Sequence, residues 1–487
     1  MNLSLSSVFR IIGIVLVIVG ISMVPSFVVS LIYDDASVCV PFLITILSAV
    51  AVGALLMWKC NRHTKQLKVR DGFLIVTVCW FISAALGAVP FVVTGSIPNP
   101  VDAFFESCSG FSTTGSTILP DVEILPKGIL FWRSFTHWIG GMGILIFAIA
   151  LMPSLGISGQ NIAVSEAPGP SLDKTSPKMT DTAKGLYTIY LIFTVAETIM
   201  LMLGGMSLYD SLIHTFGSVG TGGLSNYNDS VGHFNSDYIS LVITLFMIMC
   251  GVNFNLYHSF KKNGFRALWE DAEFRFYMFI TFGSAAFIMA VLRLSGTYTS
   301  TKDAAVDSIF KTSTILTTTG YATADYDTWP TVCKMVLFAL MIVGGCSSST
   351  SGGLKDIRIL IVLKLIKRGI STRLHPNVVE NIKINGQNVS SEIVTTVTSQ
   401  VFLYIVMVFI GAFIISFENV SLITCFSSVI TCLGNVGPGF DLVGPSRNFS
   451  ELSDLSTFVL SVYMIAGRLE LYTLFIVITP RFWNPDR

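Results

Sequence analysis

The feature that most constrains this chain is a train of apolar runs, each about twenty residues long, parted by short charged loops. A helix of that length spans the hydrocarbon core of a bilayer. Roughly ten runs are present: 8–32, 39–58, 72–94, 129–152, 184–206, 237–260, 274–296, 332–350 (continuing brokenly to about 368), 392–416 and 455–479. Charged residues make up only 12% of 487, and mean hydropathy is +0.70. Soluble domains carry about twice that charged fraction, so the expectation is an all-α polytopic membrane protein. The first run is too long for a signal-peptide core and lacks a small-residue cleavage site, so it reads as a retained helix. Net charge is zero, and nucleic acid is not an expected partner. The nine cysteines show no CxxC or Cys/His spacing and read as small core residues.

Lys and Arg set the orientation, because cytoplasmic loops are enriched in them. Lys59, Arg62, Lys65, Lys68 and Arg70 follow the second run; Lys174, Lys178 and Lys184, then Lys261, Lys262, Arg266 and Arg275, then Lys355 through Lys383 mark later loops. The opposite loops carry Asp34, Asp35, Asp102, Asp121, Glu123, Asp325, Asp327 and Asp441. Both termini are therefore expected to be cytoplasmic. Four segments of mixed polarity, about 101–118, 209–224, 304–321 and 420–438, then fall on the external side. After two leading helices a unit of helix, polar segment and helix recurs four times in the same orientation. The expected division is 1–70 for the leading helices, 71–183 for repeat one with a cytoplasmic segment, and 184–273 for repeat two. Repeat three spans 274–391 with a gating loop and a cytoplasmic segment, and repeat four spans 392–487.

The polar segments read FESCSGFSTTGSTI, LIHTFGSVGTGGLS, IFKTSTILTTTGYA and CFSSVITCLGNVGPG. Each ends in small or hydroxyl residues and a glycine: Thr113-Thr114-Gly115, Gly220-Thr221-Gly222, Thr318-Thr319-Gly320 and Asn435-Val436-Gly437. Non-helical backbone is tolerated at membrane depth only where it lines water or is buried in protein. Four half-helices that return as extended chain around one axis present a ring of carbonyl oxygens able to replace an ion's hydration shell. Glycine permits the turn-back. One such motif is an ordinary turn; four in register with a helix repeat point to an ion filter.

With FWRSFTHWIGGMGI (131–144), GGCSSSTSGGLKDIR (344–358) and GRLELYTL (467–474), the whole chain resembles the potassium transporter superfamily. That group comprises bacterial Trk and Ktr membrane subunits with fungal and plant relatives, and the closest resemblance is to Trk membrane subunits of the TrkH/TrkG type. The resemblance implies four helix–pore–helix repeats, a homodimer in membrane lipid, and a cytosolic, nucleotide-binding, TrkA-like regulatory subunit. It also implies a filter built on Gly115, Gly222, Gly320 and Gly437, with K⁺ as the transported ion and a first-loop glycine favouring K⁺ over Na⁺. No loop copies TVGYG, so modest selectivity is expected. No cofactor is expected in this chain, which has no Walker A or GxGxxG motif.

Two gate elements are expected. Val332 to Val343 is too short to span, so Gly344, Gly345, Cys346, Ser347, Ser348, Ser349, Thr350, Ser351, Gly352 and Gly353 must lie inside the bilayer in a wet or protein-lined site. The resemblance makes this an intramembrane gating loop. Arg468 sits near the middle of the last apolar run, where a charge needs a cavity or a partner; Glu470 is on another helix face. The resemblance places Arg468 in the pore under the filter, as a barrier to K⁺. Asp102, Glu106, Asp303 and Asp307 either concentrate cations at the mouth or are solvated loop acids, and His214 reads as packing. Segments 153–181 and 355–391 are the expected docking surfaces for a cytosolic partner.

The functional expectation is channel-like K⁺ uptake across a bacterial inner membrane. Symport coupled to Na⁺ or H⁺ stays open, with Glu197 and Arg468 as the deepest charges. A membrane enzyme needs clustered His, carboxylate or Ser/Lys groups, and six dispersed histidines do not supply them.

Overall fold

The computed structural model describes residues 5–60, 68–143, 179–377 and 381–484. The leading elements are α1 (Leu5–Ser22), α2 (Val24–Tyr33) and α3 (Ala36–Lys59). The α1 and α3 helices cross where Gly13 faces Gly53. A Cβ on either would lie within 2.7 Å of the other's carbonyl oxygen, so small residues set this close approach, as is common in lipid.

Four repeats follow. Repeat one has α4 (Val69–Val93), α5 (Pro100–Phe111) and α6 (Lys127–Gly141). Repeat two has α7 (Met179–Leu203), α8 (Leu208–Val219) and α9 (Asp237–Gly251), and the short α10 (Phe254–Asn263) and α11 (Phe265–Glu270) lead out of it. Repeat three has α12 (Ala272–Leu294), α13 (Thr301–Leu316) and α14 (Thr331–Val343), then α15 (Asp356–Leu374). A two-stranded hairpin, β1 (Lys383–Ile384) and β2 (Gln387–Asn388), precedes repeat four: α16 (Ser391–Ile415), α17 (Leu422–Gly434), α18 (Asp454–Arg468) and α19 (Tyr472–Ile478).

The outer helices α4, α7, α12 and α16 are long, at 23 to 25 residues. They present side chains such as Phe279, Phe402 and Phe413, each more than 65% exposed, as a lipid-facing surface requires. The inner helices behave differently. Among the described residues six helices are long and apolar enough to cross a membrane, and two further crossings are bent pairs: α9 with α10 at 91°, and α18 with α19 at 113°. The third inner helix, α14, stops after 13 residues at Gly344. The fourth, α6, ends at Gly141, and the expected run 129–152 continues outside the described residues. Each inner helix thus loses regularity after 13 to 15 residues, on the side of the polar turns away from the loops that join the short helices to the inner ones.

The four short helices α5, α8, α13 and α17 start at side-chain caps. Asn99, Ser207, Ser300 and Ser421 each accept a backbone N–H of the first turn, which satisfies a donor that the start of a helix otherwise leaves unpaired. Each short helix packs between the outer and inner helices of its own repeat and also against the inner helix of the repeat before: α8 on α6, α13 on α9, α17 on α14, and α5 on α18. The last contact closes a circle.

Candidate functional site

Each short helix ends in a single left-handed residue: Thr113 (φ +58°), Thr221 (+55°), Thr318 (+57°) and Asn435 (+54°). The next residue sends its N–H back five positions, from Thr114 to Ser109, Gly222 to Gly217, Thr319 to Thr314, and Val436 to Thr431, at 2.7–2.9 Å. One residue later comes a glycine with positive φ: Gly115 (+80°), Gly223 (+72°), Gly320 (+88°) and Gly437 (+105°). The sequence alignment sets Gly220-Thr221-Gly222 in the second loop. The backbone moves that register on by one, to Thr221-Gly222-Gly223. The doublet Gly222-Gly223 concealed it; a Thr/Asn-x-Gly frame would have found it.

The four loops meet. A Cβ on Gly115 would lie 1.9 Å from the Gly222 carbonyl oxygen, and one on Gly223 would lie 2.0 Å from that of Thr319. One on Gly320 would lie 2.5 Å from that of Val436, and one on Gly437 2.8 Å from that of Thr114. Every loop's glycine is thus covered by the middle carbonyl of the next loop, and the fourth returns to the first. The outward legs are tied in the same order: Val122 N–H to Asn228 Oδ1, Gly232 N–H to the Ala322 carbonyl, Asp441 N–H to Asp327 Oδ2, and Phe449 N–H to the Thr117 carbonyl. Four helix C-termini converge here, and their partial negative charge favours a cation. A cavity of about 150 Å³ opens onto Gly115, Gly223, Gly320 and Gly437 from the side of these legs.

Two side chains that the sequence reading did not single out brace the ring. His137 is fully buried, with Nδ1 2.8 Å from the Gly110 carbonyl and Nε2 3.3 Å from the Leu224 N–H. Arg133 pairs with Glu106 at 2.6 Å, and both side chains are almost fully buried. Glu106 also accepts the Ile118 N–H and the Thr117 hydroxyl. Glu106 is therefore neither a mouth charge nor a solvated loop acid but the internal tie of the first loop. Asp307 is also partly engaged, accepting the Tyr298 and Thr323 hydroxyls. His214 is buried, stacks on Tyr321 and contacts Ser225 Oγ, as packing requires.

The glycine–serine stretch lies directly against the ring. The Gly352 N–H donates to Thr318 Oγ1 at 2.6 Å, and the Gly353 N–H to the Gly434 carbonyl at 2.8 Å. On the other side the Cys346 N–H reaches the Gly251 carbonyl at 2.9 Å. Residues Gly344 to Gly353 thus run between the broken end of α9 and the C-terminus of α17.

Arg468 is the last residue of α18 rather than the middle of a continuous helix. Glu470 (φ +55°) and Leu471 (+62°) turn the chain there. The guanidinium donates to the Thr350 carbonyl at 2.8 Å and to those of Gly140 and Gly141 at 2.7 and 2.5 Å. It therefore joins the stretch between α14 and α15 to the end of α6. Glu470 pairs with Arg358 instead.

Residues 40–484 match the family model described as TrkH, cation transport protein. The chain is 36% identical to the "Trk system potassium uptake protein TrkH" of Vibrio parahaemolyticus, over 98% of this chain and 99% of that protein. It is 34% identical to the Escherichia coli TrkH, over 98% and 99%, and 32% identical to the Escherichia coli TrkG, over 96% of each. The crystal structure of the potassium transporter TrkH from Vibrio parahaemolyticus superposes with a TM-score of 0.88 at 34% identity, covering 99% of this chain and all of the other. By sequence along almost its whole length, and by fold, this chain belongs to the TrkH cation transport family: a transport protein, not an enzyme.

Proposed function

We propose that the chain is the ion-conducting subunit of a potassium uptake system in a bacterial inner membrane, with both termini cytoplasmic. The observation that supports this best is the cyclic seating of each loop glycine on the next loop's carbonyl. It sets backbone oxygens from four repeats at one place, as a partly dehydrated cation needs. The filter comprises Thr113-Thr114-Gly115, Thr221-Gly222-Gly223, Thr318-Thr319-Gly320 and Asn435-Val436-Gly437. The division into two leading helices and four repeats follows this ring. The relatives named for potassium uptake support K⁺ as the ion.

Residues Gly344 to Gly353 act as the gate, held closed against Thr318 and by Arg468. A fixed guanidinium also repels the permeant ion: two unit charges about 8 Å apart at an effective dielectric near 20 repel by about 2 kcal/mol. A homodimer, and a cytosolic nucleotide-binding subunit docking on the basic stretch 355–391, complete the assembly. The other docking candidate, 153–181, lies almost wholly outside the described residues.

Proteoliposomes holding this chain alone, with imposed voltage and no Na⁺ or H⁺ gradient, test the reading. Voltage-driven uptake of radioactive rubidium is the expected result. Uptake only under an imposed proton or sodium gradient favours the second reading, coupled symport. Glu197 supports that alternative: it is fully buried in α7, accepts Ser218 Oγ through Oε1, and leaves Oε2 without a partner among the described residues.

A further inference from the structure

The stretch Gly344 to Gly353 is fastened to repeat three by a cluster that ion passage does not use. Glu273 lies in the first turn of α12, Cys346 lies in the stretch itself, and Asp356 opens α15. All three are buried, Glu273 being the most exposed at 5%. One donor atom from each, two carboxylate oxygens and a sulfur, lies within 4.8 Å of the others. Hydrogen bonds explain only part of this arrangement. Glu273 accepts the Ser347 N–H at 2.5 Å and its hydroxyl at 2.9 Å, and the Cys346 thiol lies 3.5 Å from Asp356 Oδ2. Asp356 Oδ1 is buried and has no partner among the described residues, and the Asp356 carboxyl group meets that of Glu273. Two carboxylates in contact away from water repel unless a proton or a cation lies between them. The neighbouring basic side chains are engaged elsewhere: Arg358 with Glu470, and Lys355 with the Ser351 carbonyl.

We propose that Glu273, Cys346 and Asp356 form a binding site for a divalent cation of the zinc class, which staples the gating stretch to α12 and α15. One sulfur and two carboxylate oxygens suit a borderline-soft ion better than Mg²⁺ or Ca²⁺, which take oxygen ligands alone. Ligands around a tetrahedral zinc stand about 3.3–3.8 Å apart, so donors that lie within 4.8 Å of one another close by at most about 1.5 Å on binding. The thiol loses its proton to solvent as the metal–sulfur bond forms, and any proton shared by the carboxyl groups leaves with it. Asp271 and Arg275, flanking Glu273, are at least partly exposed, so the ion enters from that end of α12.

Cadmium serves as the probe, because its bond to a thiolate produces a charge-transfer absorption. The purified full-length chain is titrated with Cd²⁺ alongside Cys346→Ser and Asp356→Asn. The expected result is a saturable band at one equivalent that Cys346→Ser loses and Asp356→Asn reaches only at tenfold or more higher Cd²⁺. A parallel rise in unfolding temperature is expected in the unsubstituted chain and not in Cys346→Ser; the other cysteines, present in both, cancel. No band, or an equal band in Cys346→Ser, overturns the site. The stapling role rests on the gating reading, and rubidium flux separates the two. Flux lowered by Cd²⁺ only where Cys346 is present supports both, whereas a bound ion with unchanged flux keeps the site and removes the gate.

Discussion

At the scale of single residues, the candidate filter tolerates no side chain at four places, for two separate reasons. Gly223 has a left-handed backbone and a neighbour's carbonyl where its Cβ would stand, whereas Gly222 has only the ring of His137, 2.3 Å away. Substituting them separates the two registers. Gly223→Ser is expected to lower K⁺ over Na⁺ discrimination to the extent that Gly115→Ser does, while Gly222→Ala costs thermal stability through the displaced imidazole. Relative permeabilities of the three variants in vesicles check this; a selectivity loss confined to Gly222→Ala restores the register first read from the sequence. The Glu106–Arg133 pair gives a second expectation. Leaving one partner of a buried pair uncompensated costs about 3–5 kcal/mol. Glu106→Gln is therefore expected to lower the unfolding temperature sharply with little change in the concentration dependence of uptake, and the opposite outcome returns Glu106 to the mouth.

At the scale of elements, Arg468 carries the clearest expectation. It holds Thr350 and the end of α6 together, and its charge stands in the path proposed for the ion, so Arg468→Ala is expected to raise basal rubidium flux roughly thirtyfold, the effect of about 2 kcal/mol on a barrier. Equal or lower flux from well-folded protein counts against it. Deleting residues 346–351 removes Thr350 as well as the Cys346 contact to α9, and the unregulated leak should rise in the same assay. The outer helices were legible in the sequence because lipid forces an apolar residue at nearly every position. Of the breaks in the inner helices, the one at Gly344 was legible and those of α9 and α18 were not. The run 455–479 carries Gly467, Arg468 and Glu470 at its bend, but there is no Pro, and no Gly stands at the two left-handed positions 470 and 471. What turns the chain there is a tertiary demand: Glu470 reaching Arg358, and Arg468 reaching three carbonyls. The partners of a buried charge sit more than a hundred residues away and leave no local pattern. The four half-helices were legible because their mixed polarity and terminal glycines are local signals.

At the scale of the whole molecule, the repeats build a ring from unlike parts. Asn435 replaces the threonine of the other three loops, and its Nδ2 donates to Thr114 Oγ1 at 2.9 Å and to the Met464 carbonyl at 2.9 Å. Tyr321 follows only the third glycine, and its hydroxyl donates to the His214 carbonyl at 2.9 Å. Such contacts give each seam between repeats its own chemistry, so Asn435→Thr is expected to loosen the seam between the fourth and first loops alone, read as a selective rise in amide exchange around Thr114. In an assembly of four identical chains any change is printed four times over. Here a single codon alters one quadrant, and the opposite wall stays as it was. On the proposed reading of the ring as a filter, ion preference can therefore drift in small steps, each a quarter of the whole, without the conduit being lost between them.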